Sequence, residues 1–145
     1  MSLFDAIDTA ATGLSAERLR MDVTAENLAN AQTTRGADGK AYRRKVVVLE
    51  EVAPSSFGST LHGAMKSSAT KGVKVAEIAQ DGTPNRLVYD PGHPDADARG
   101  YVSMPNVQPV TEMVDLITAS RGYEANVTVM QTSKQLFTKT LEILR

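Results

Sequence analysis

The C-terminal end of the chain, residues 111–145, carries a large apolar side chain at every seventh position. The spacing persists for about four heptads and no proline interrupts it, which is typical of a long helix with a coiled-coil face. Thr111 is placed to cap this helix at its start. The predicted apolar seam, including the companion positions that are also apolar, consists of Met113, Leu116, Tyr123, Val127, Met130, Phe137, Leu141 and Leu144.

A second heptad stripe begins near the N-terminus and predicts another helix. Its period is lost after Asn30, where Thr33 and Gly36 follow, so we expect the helix to end there. Small residues at 10, 11 and 13 would let the backbone of a partner helix approach closely. The apolar positions of this stripe are Phe4, Ile7, Leu14, Met21 and Leu28.

The two stripes are natural partners for each other, although they lie at opposite ends of the sequence. The C-terminal helix contains many β-branched residues and Gly122, which lower its intrinsic helix propensity. Such a helix gains most of its stability from packing one face. We therefore expect both helices to be marginal in an isolated monomer and to become firm in an assembly.

Between the helices the pattern is that of short strands and turns. Residues 42–52 read as a strand, residues 54–71 as a mobile loop without a period, and residues 90–100 as a Pro-, Asp- and Gly-rich loop. The runs 73–78 and 87–89 flank a turn cluster at 81–85 and predict a hairpin. Residues 101–105 read as extended, and Pro105 and Pro109 would keep the chain extended up to the last helix.

These elements predict an α+β fold in which long N- and C-terminal helices pair as a coiled-coil-like bundle and a small β-rich module is inserted between them. The expected division is residues 1–33 plus 107–145 for the paired helices, and 34–106 for the β-rich outer module, with the mobile loop at about 54–71.

Composition narrows the possible functions. The chain has no cysteine, so disulfides, thiolate metal sites and a cysteine nucleophile are excluded, and it has two histidines. With 16 basic and 17 acidic residues the net charge is −1, which does not indicate a nucleic-acid-binding protein. No apolar run approaches the ~20 residues that span a bilayer. The N-terminus lacks the pattern of a cleavable secretory signal peptide.

Four potential metal ligands lie close together in the loop at 90–100: Asp90, His93, Asp95 and Asp97. Oxygen and imidazole donors can chelate a divalent cation, but the spacing matches neither an EF-hand nor a helical zinc motif. Prolines and a glycine in the same segment favour a loop chosen for its backbone shape. No activated nucleophile is identifiable. We therefore predict no enzyme, no cofactor, no metal and no small-molecule substrate.

Two polar groups have open interpretations. Asn27 and Asn30 can terminate the first helix, or their carboxamides can bond to a neighbouring helix end, since each offers donors and acceptors. The basic cluster at 43–45 can meet an acidic patch on a neighbouring subunit, or can be the solvated start of a strand.

Several of these segments resemble the axial rod and hook proteins of the bacterial flagellum, and in particular its proximal rod proteins. The family-wide resemblance lies in residues 12–16 and 25–33, the second of which contains Asn27 and Asn30. The more specific resemblance lies in residues 89–97, 100–102, 104–107, 112–116 and 119–126.

The resemblance implies that the paired terminal helices line the inner tube of a helical rod, with the β module outside, and that the rod transmits torque without catalysis. It implies, as partners, other copies of this chain, neighbouring rod proteins, adaptor proteins of the MS ring and the flagellar type III export apparatus, with no nucleic acid. It places the protein in the periplasmic rod of the basal body. The alternatives are a soluble coiled-coil adaptor or export chaperone, and a metal-dependent enzyme built on residues 90–97.

Overall fold

The computed structural model describes residues 3–36, 38–52 and 72–143. Along the chain, one long helix precedes four short strands and a second long helix follows them. The elements in chain order are α1 (Leu3–Ala29), β1 (Lys45–Glu51), β2 (Val73–Gln80), β3 (Arg86–Tyr89), β4 (Tyr101–Met104) and α2 (Pro109–Ile143). The predicted α+β class is confirmed, with both terminal helices and the short strands between them. Neither helix, over the residues described, combines the length and apolar composition that a membrane span requires.

The chain packs into two compact units, and each takes a part of both helices. The first unit comprises Met1–Leu19, Val48–Glu77 and Ala119–Arg145, and the second comprises Arg20–Val47 and Ile78–Thr118. The expected division into a helical part (1–33 plus 107–145) and a β-rich module (34–106) stays a prediction about the assembled protein.

In the first unit the two helices run antiparallel and in close contact. The rings of Phe4 and Phe137 meet edge to face, with centroids 5.6 Å apart. Further along, Gly13 faces Asn126, so closely that a Cβ at position 13 would come within 2.9 Å of the Asn126 amide nitrogen. The separation of packed helices depends on the side chains at the contact, and small ones permit a short distance. Among the residues of this unit that the structure describes, the buried ones are all small: Ala10, Ala16, Ala119 and Ser133.

In the second unit larger side chains form the core. Val23 of α1, Val102 of β4 and Val107 are buried. Strand β3 pairs antiparallel with β4, with Val88 opposite Val102 and Tyr89 opposite Tyr101. The two tyrosine rings form an edge-to-face pair at 5.3 Å on the exposed side of this sheet.

The predicted hairpin between residues 73–78 and 87–89 is wrong, because β2 pairs with β1 and β3 pairs with β4. The turn at 81–85 separates the two sheets instead of closing a hairpin. Asp81 accepts hydrogen bonds from the amide and the hydroxyl of Thr83. The Asn106 amide in turn donates to the Thr83 carbonyl and hydroxyl oxygens. These bonds hold the turn against the segment that follows β4, so the chain leaves it in a new direction.

The helix ends are partly as expected. Helix α1 ends at Ala29, which confirms an end near Asn30. Helix α2 begins at Pro109, so the prediction that Thr111 caps it and that Pro109 stays extended is wrong. Proline is favoured in the first turn of a helix, where its missing N–H has no intrahelical partner to lose. The predicted mobile loop at 54–71 and the seam residue Leu144 lie outside the described residues.

Candidate assembly interface

The C-terminal part of α2 exposes a large apolar surface in the first unit. Phe137 is 39% exposed even though it contacts Phe4, and exposure reaches 85% at Ile143. Large exposed apolar patches on a protein surface mark sites of interaction. The exposed apolar residues of this part of α2 are Val129, Leu136, Phe137, Leu141 and Ile143.

The other predicted seam residues differ in burial. Met113 is exposed on the first turns of α2, and Phe4 is exposed at the start of α1. The remaining described members of both stripes are half-buried: Ile7, Leu14, Met21, Leu28, Leu116, Tyr123, Val127 and Met130. Their contact with other subunits stays a prediction.

The most buried positions of α2 are ones that the apolar pattern does not reveal. The positions that recur here at heptad spacing are Glu112, Ala119, Asn126 and Ser133; three of them are buried, and Asn126 is half-buried. Two are polar, one is charged and one is alanine, so a search for large apolar residues passes over them. The signal that could have found them is the spacing itself, since each lies four residues before a predicted seam residue.

In the second unit, Asn27 is the centre of a buried hydrogen-bond network. Its Nδ2 donates to the Lys45 carbonyl oxygen (2.8 Å) and to Oε2 of Glu112 (3.1 Å). Its Oδ1 accepts from the Lys45 amide (2.9 Å) and from the Tyr42 hydroxyl (2.9 Å). Two donor hydrogens and two acceptor positions are the whole capacity of a carboxamide. Asn27 is therefore saturated within the chain, with 1% of its surface exposed.

Glu112 connects the start of α2 to this network and to Arg44. The carboxylate is 1% exposed, and its Oε1 accepts from Arg44 Nε at 2.6 Å. Arg44 also reaches Asp115 through Nη2 at 3.1 Å and Asp81 at 3.7 Å. A buried carboxylate is tolerated only when it is paired and hydrogen-bonded. Arg44 and Asn27 together meet that requirement.

The network shifts the pKa values of three side chains: Arg44, Tyr42 and Asp81. The hydrogen bond to Glu112, together with the neighbouring carboxylates, raises the pKa of Arg44 against the effect of burial. Burial, with the negative charges of Glu26 and Glu112, raises the pKa of Tyr42 to about 12. Hydrogen bonds from Thr83, with the charge of Arg44, lower the pKa of Asp81. Each of these three shifts favours the form that predominates at neutral pH: a protonated Arg44, a neutral Tyr42 and an ionised Asp81.

The other polar candidates from the sequence, Asn30 and the basic cluster at 43–45, also bond mainly within the chain. Asn30 donates to the Glu26 carbonyl oxygen and accepts from the Thr33 hydroxyl, so its side chain closes the end of α1. Within the basic cluster, Arg44 belongs to the network and Lys45 pairs with Glu26. Arg43 is exposed and donates only to the Thr83 carbonyl oxygen at 3.3 Å among the described residues.

Three of the four candidate metal ligands in the loop at 90–100 bind backbone groups, and the fourth, Asp95, accepts from the Thr34 hydroxyl and lies beside Arg35. Asp90 accepts from the Gly92 amide, and His93 Nδ1 accepts from the Asp95 amide. Asp97 accepts from the amides of residues 99 and 101. Over the described ranges, no three His, Cys, Asp or Glu side chains converge on a common point. The arrangement favours the interpretation of this segment as a loop held in shape by its own side chains.

Known proteins match this chain over its whole length. The family "Flagella basal body rod protein" matches residues 7–37, and "Flagellar basal body rod FlgEFG protein C-terminal" matches residues 98–143. The flagellar basal-body rod protein FlgC of Bacillus subtilis is 47% identical over 149 residues, covering 99% of both chains. The chain belongs to the FlgC family of flagellar basal-body rod proteins. FlgC of Borreliella burgdorferi is 44% identical, over 100% of this chain and 99% of its own length. FlgC of Escherichia coli O157:H7 is 45% identical, over 99% of this chain and 98% of its own length.

As a member of the FlgC family, the chain is a structural subunit of the flagellar basal-body rod. The two matched regions contain the ends of the network: residues 7–37 include Asn27, and residues 98–143 include Glu112. Residues 38–97, between these regions, supply Tyr42 and Arg44.

Proposed function

We propose that the chain builds the rod by packing its terminal helices against those of neighbouring subunits, with the C-terminal part of α2 as a principal contact. The observation that carries this proposal is the exposed apolar surface formed by Val129, Leu136, Phe137, Leu141 and Ile143. Fully burying one such side chain contributes on the order of 1.5–3 kcal/mol, so an assembly that covers several of them gains substantially.

The contacts that repeat through a rod are expected to be heterologous, so the exposed apolar part of α2 would meet a different surface of the neighbouring subunit. On the outer face of α1 the exposed residues after Phe4 are polar or small. Heterologous contacts repeated by a helical operator extend into a filament instead of closing into a small ring. Many such contacts would sum to a shaft stiff enough to transmit torque.

We assign the predicted interface residues to two roles. Asn27 and Asn30 act from inside the chain, because their side chains bond within α1 and to β1 and α2. The apolar residues of the predicted set would contact neighbouring subunits directly. They are Phe4, Ile7, Leu14, Met21, Leu28, Met113, Leu116, Tyr123, Val127, Met130, Phe137, Leu141 and Leu144.

The finer biological setting belongs to the same proposal. We infer that the partners are other copies of this chain, neighbouring rod proteins and adaptors of the MS ring. We also infer that the subunit reaches the periplasm through the flagellar type III export apparatus. The chain would perform no catalysis. Membership of the FlgC family favours this reading over a coiled-coil adaptor or an export chaperone.

Phe137→Asp tests the proposed contact in cells that carry only the variant. A carboxylate at this position would have to be buried without a partner, so we expect loss of rod assembly and motility while secretion of the subunit continues. Gln135→Asp is the matched control, because it introduces the same charge on the same helix at an exposed polar position. Swimming at the normal rate with Phe137→Asp would reject the contact.

A further inference from the structure

A groove in the second unit lies outside the helical surfaces and outside the network. It has a volume of about 700 Å³, and residues of the segments 34–43, 84–85 and 94–96, together with Ser103, line it. Hydrogen bonds fix its walls: the Thr34 hydroxyl donates to Asp95 at 2.8 Å, and Asn106 and Arg43 both bind the turn at Thr83. The groove is therefore shaped by the chain itself.

The charges that line this groove are mostly positive. Arg35, Lys40 and Arg43 contribute three cations, and Asp95 contributes one carboxylate, which leaves a net charge of +2. The whole chain carries −1, so the groove differs in sign from the protein as a whole. A concave site lined by one sign of charge concentrates ligands of the opposite sign.

One of these three cations forms an ion pair within the chain, and the other two form none among the described residues. Arg35 is 70% exposed and lies 3.6 Å from Asp95, and over the described part of the chain Lys40 and Arg43 take part in no ion pair. The adjacent Arg44 and Lys45 are both paired. Lys40 and Arg43 thus line the groove without an ion-pair partner among the described residues, although the charge of Arg43 also acts on Asp81.

We propose that this basic groove docks an extended, carboxylate-rich segment of a neighbouring protein subunit in the rod. Arginine and lysine bind carboxylates through charge-assisted hydrogen bonds, and the planar guanidinium can do so with two parallel bonds. The proposal rests on the proposed function, since it assumes a rod in which subunits touch. It adds a polar contact made by the second unit to the apolar contact made by α2.

Hexaglutamate with blocked ends is the probe for the docking chemistry. Titrated into the isotope-labelled full chain at 50 mM salt, it should cause saturable backbone amide shifts at residues 34–36, 38–43, 85, 95 and 96. Binding should weaken several-fold at 300 mM salt, because exposed charges are then screened. Hexaglutamine should cause no such shifts. Equal binding of hexaglutamine, stronger binding of a single-stranded oligonucleotide, or no shifts with hexaglutamate would overturn the proposal.

The variant Lys40→Glu/Arg43→Glu is expected to lose hexaglutamate binding by at least tenfold. Arg121→Glu/Lys139→Glu changes the net charge by the same amount at exposed positions on α2 and should retain binding. In cells the groove variant should impair motility. Normal motility would overturn the docking proposal alone, because the proposed helical assembly is tested separately by Phe137→Asp.

Discussion

Asn27 and Asn30 lie one helical turn apart at the end of α1, yet their side chains have different tasks. Asn27 makes four hydrogen bonds, which join α1 to β1, to Tyr42 and to α2. Among the described residues, the Asn30 side chain bonds only to Glu26 and Thr33, which belong to its own turn of the chain. The first asparagine holds separate segments together, whereas the second finishes a helix.

Asn27→Asp should therefore destabilise the protein far more than Asn30→Asp. The first change removes both Nδ2 donors and places a carboxylate beside Glu112, so we expect a loss of roughly 2 to 4 kcal/mol in the free energy of unfolding. The second puts a negative charge near a helix C-terminus and should cost less than about 1 kcal/mol. Urea unfolding of the purified monomers measures both. Similar losses in the two variants would contradict the assigned network.

Tyr42 gives the network a signature at alkaline pH. The folded chain keeps the phenol proton to a pKa of about 12, whereas an unfolded chain releases it near 10. Between these values the unfolded state binds fewer protons, so the free energy of unfolding falls as pH rises from about 10 to 12. The wild type should lose stability over this range more steeply than Tyr42→Phe. In an absorbance titration of the tyrosines, the step near pH 12 that belongs to Tyr42 should also be missing from that variant.

At the scale of elements, the two helices pack through small residues in the first unit, while their large residues remain at the sides of the contact. Ala119 is 0% exposed in the centre of α2, and Ala16 of α1 is also buried. A close approach of this kind leaves no room for additional methylene groups, because protein interiors are close-packed. The apolar residues that flank the contact stay half-buried or exposed.

Ala119→Leu tests this close approach. Overpacking a full site typically costs about 1 to 3 kcal/mol, and we expect a loss of stability in that range. Ala125→Leu is the matched control, because Ala125 is exposed on the same helix and its replacement should change stability by less than about 0.5 kcal/mol. Thermal or urea unfolding of both variants gives the comparison. A neutral Ala119→Leu would mean that the helices are separated by more than the structure shows.

The sequence predicts the helices well because their period extends over many turns. It predicts strand pairing poorly: the runs at 73–78 and 87–89 look like a hairpin, but their partners are set by contacts distant in sequence. For example, the carbonyl oxygen of Arg44 accepts a hydrogen bond from the Asp81 amide, and the Arg44 amide donates to Oδ1 of Asn106. Periodicity reports which face of an element is apolar, and it cannot report a polar network such as that of Glu112 and Asn27.

At the scale of the whole molecule, the two units are stabilised by different means. The second unit buries valines together with the saturated Asn27 and Glu112 network. Among its described residues, the buried ones of the first unit are alanines and a serine, whereas exposed large apolar side chains occur in both units. Burial of apolar area is the main favourable term in folding, so the first unit has less to hold it in an isolated subunit.

Hydrogen exchange in a verified monomer should therefore divide each helix. Amides at 20–29 of α1 and 113–118 of α2, which belong to the second unit, should be protected more strongly than those at 7–19 and 119–143. Local opening free energies follow the number of buried apolar contacts, which are fewer at the outer parts of both helices. In assembled rods the second set should become protected as neighbours cover the exposed face of α2. Uniformly slow exchange along both helices of the monomer would contradict this account, because assembly would then have nothing left to order.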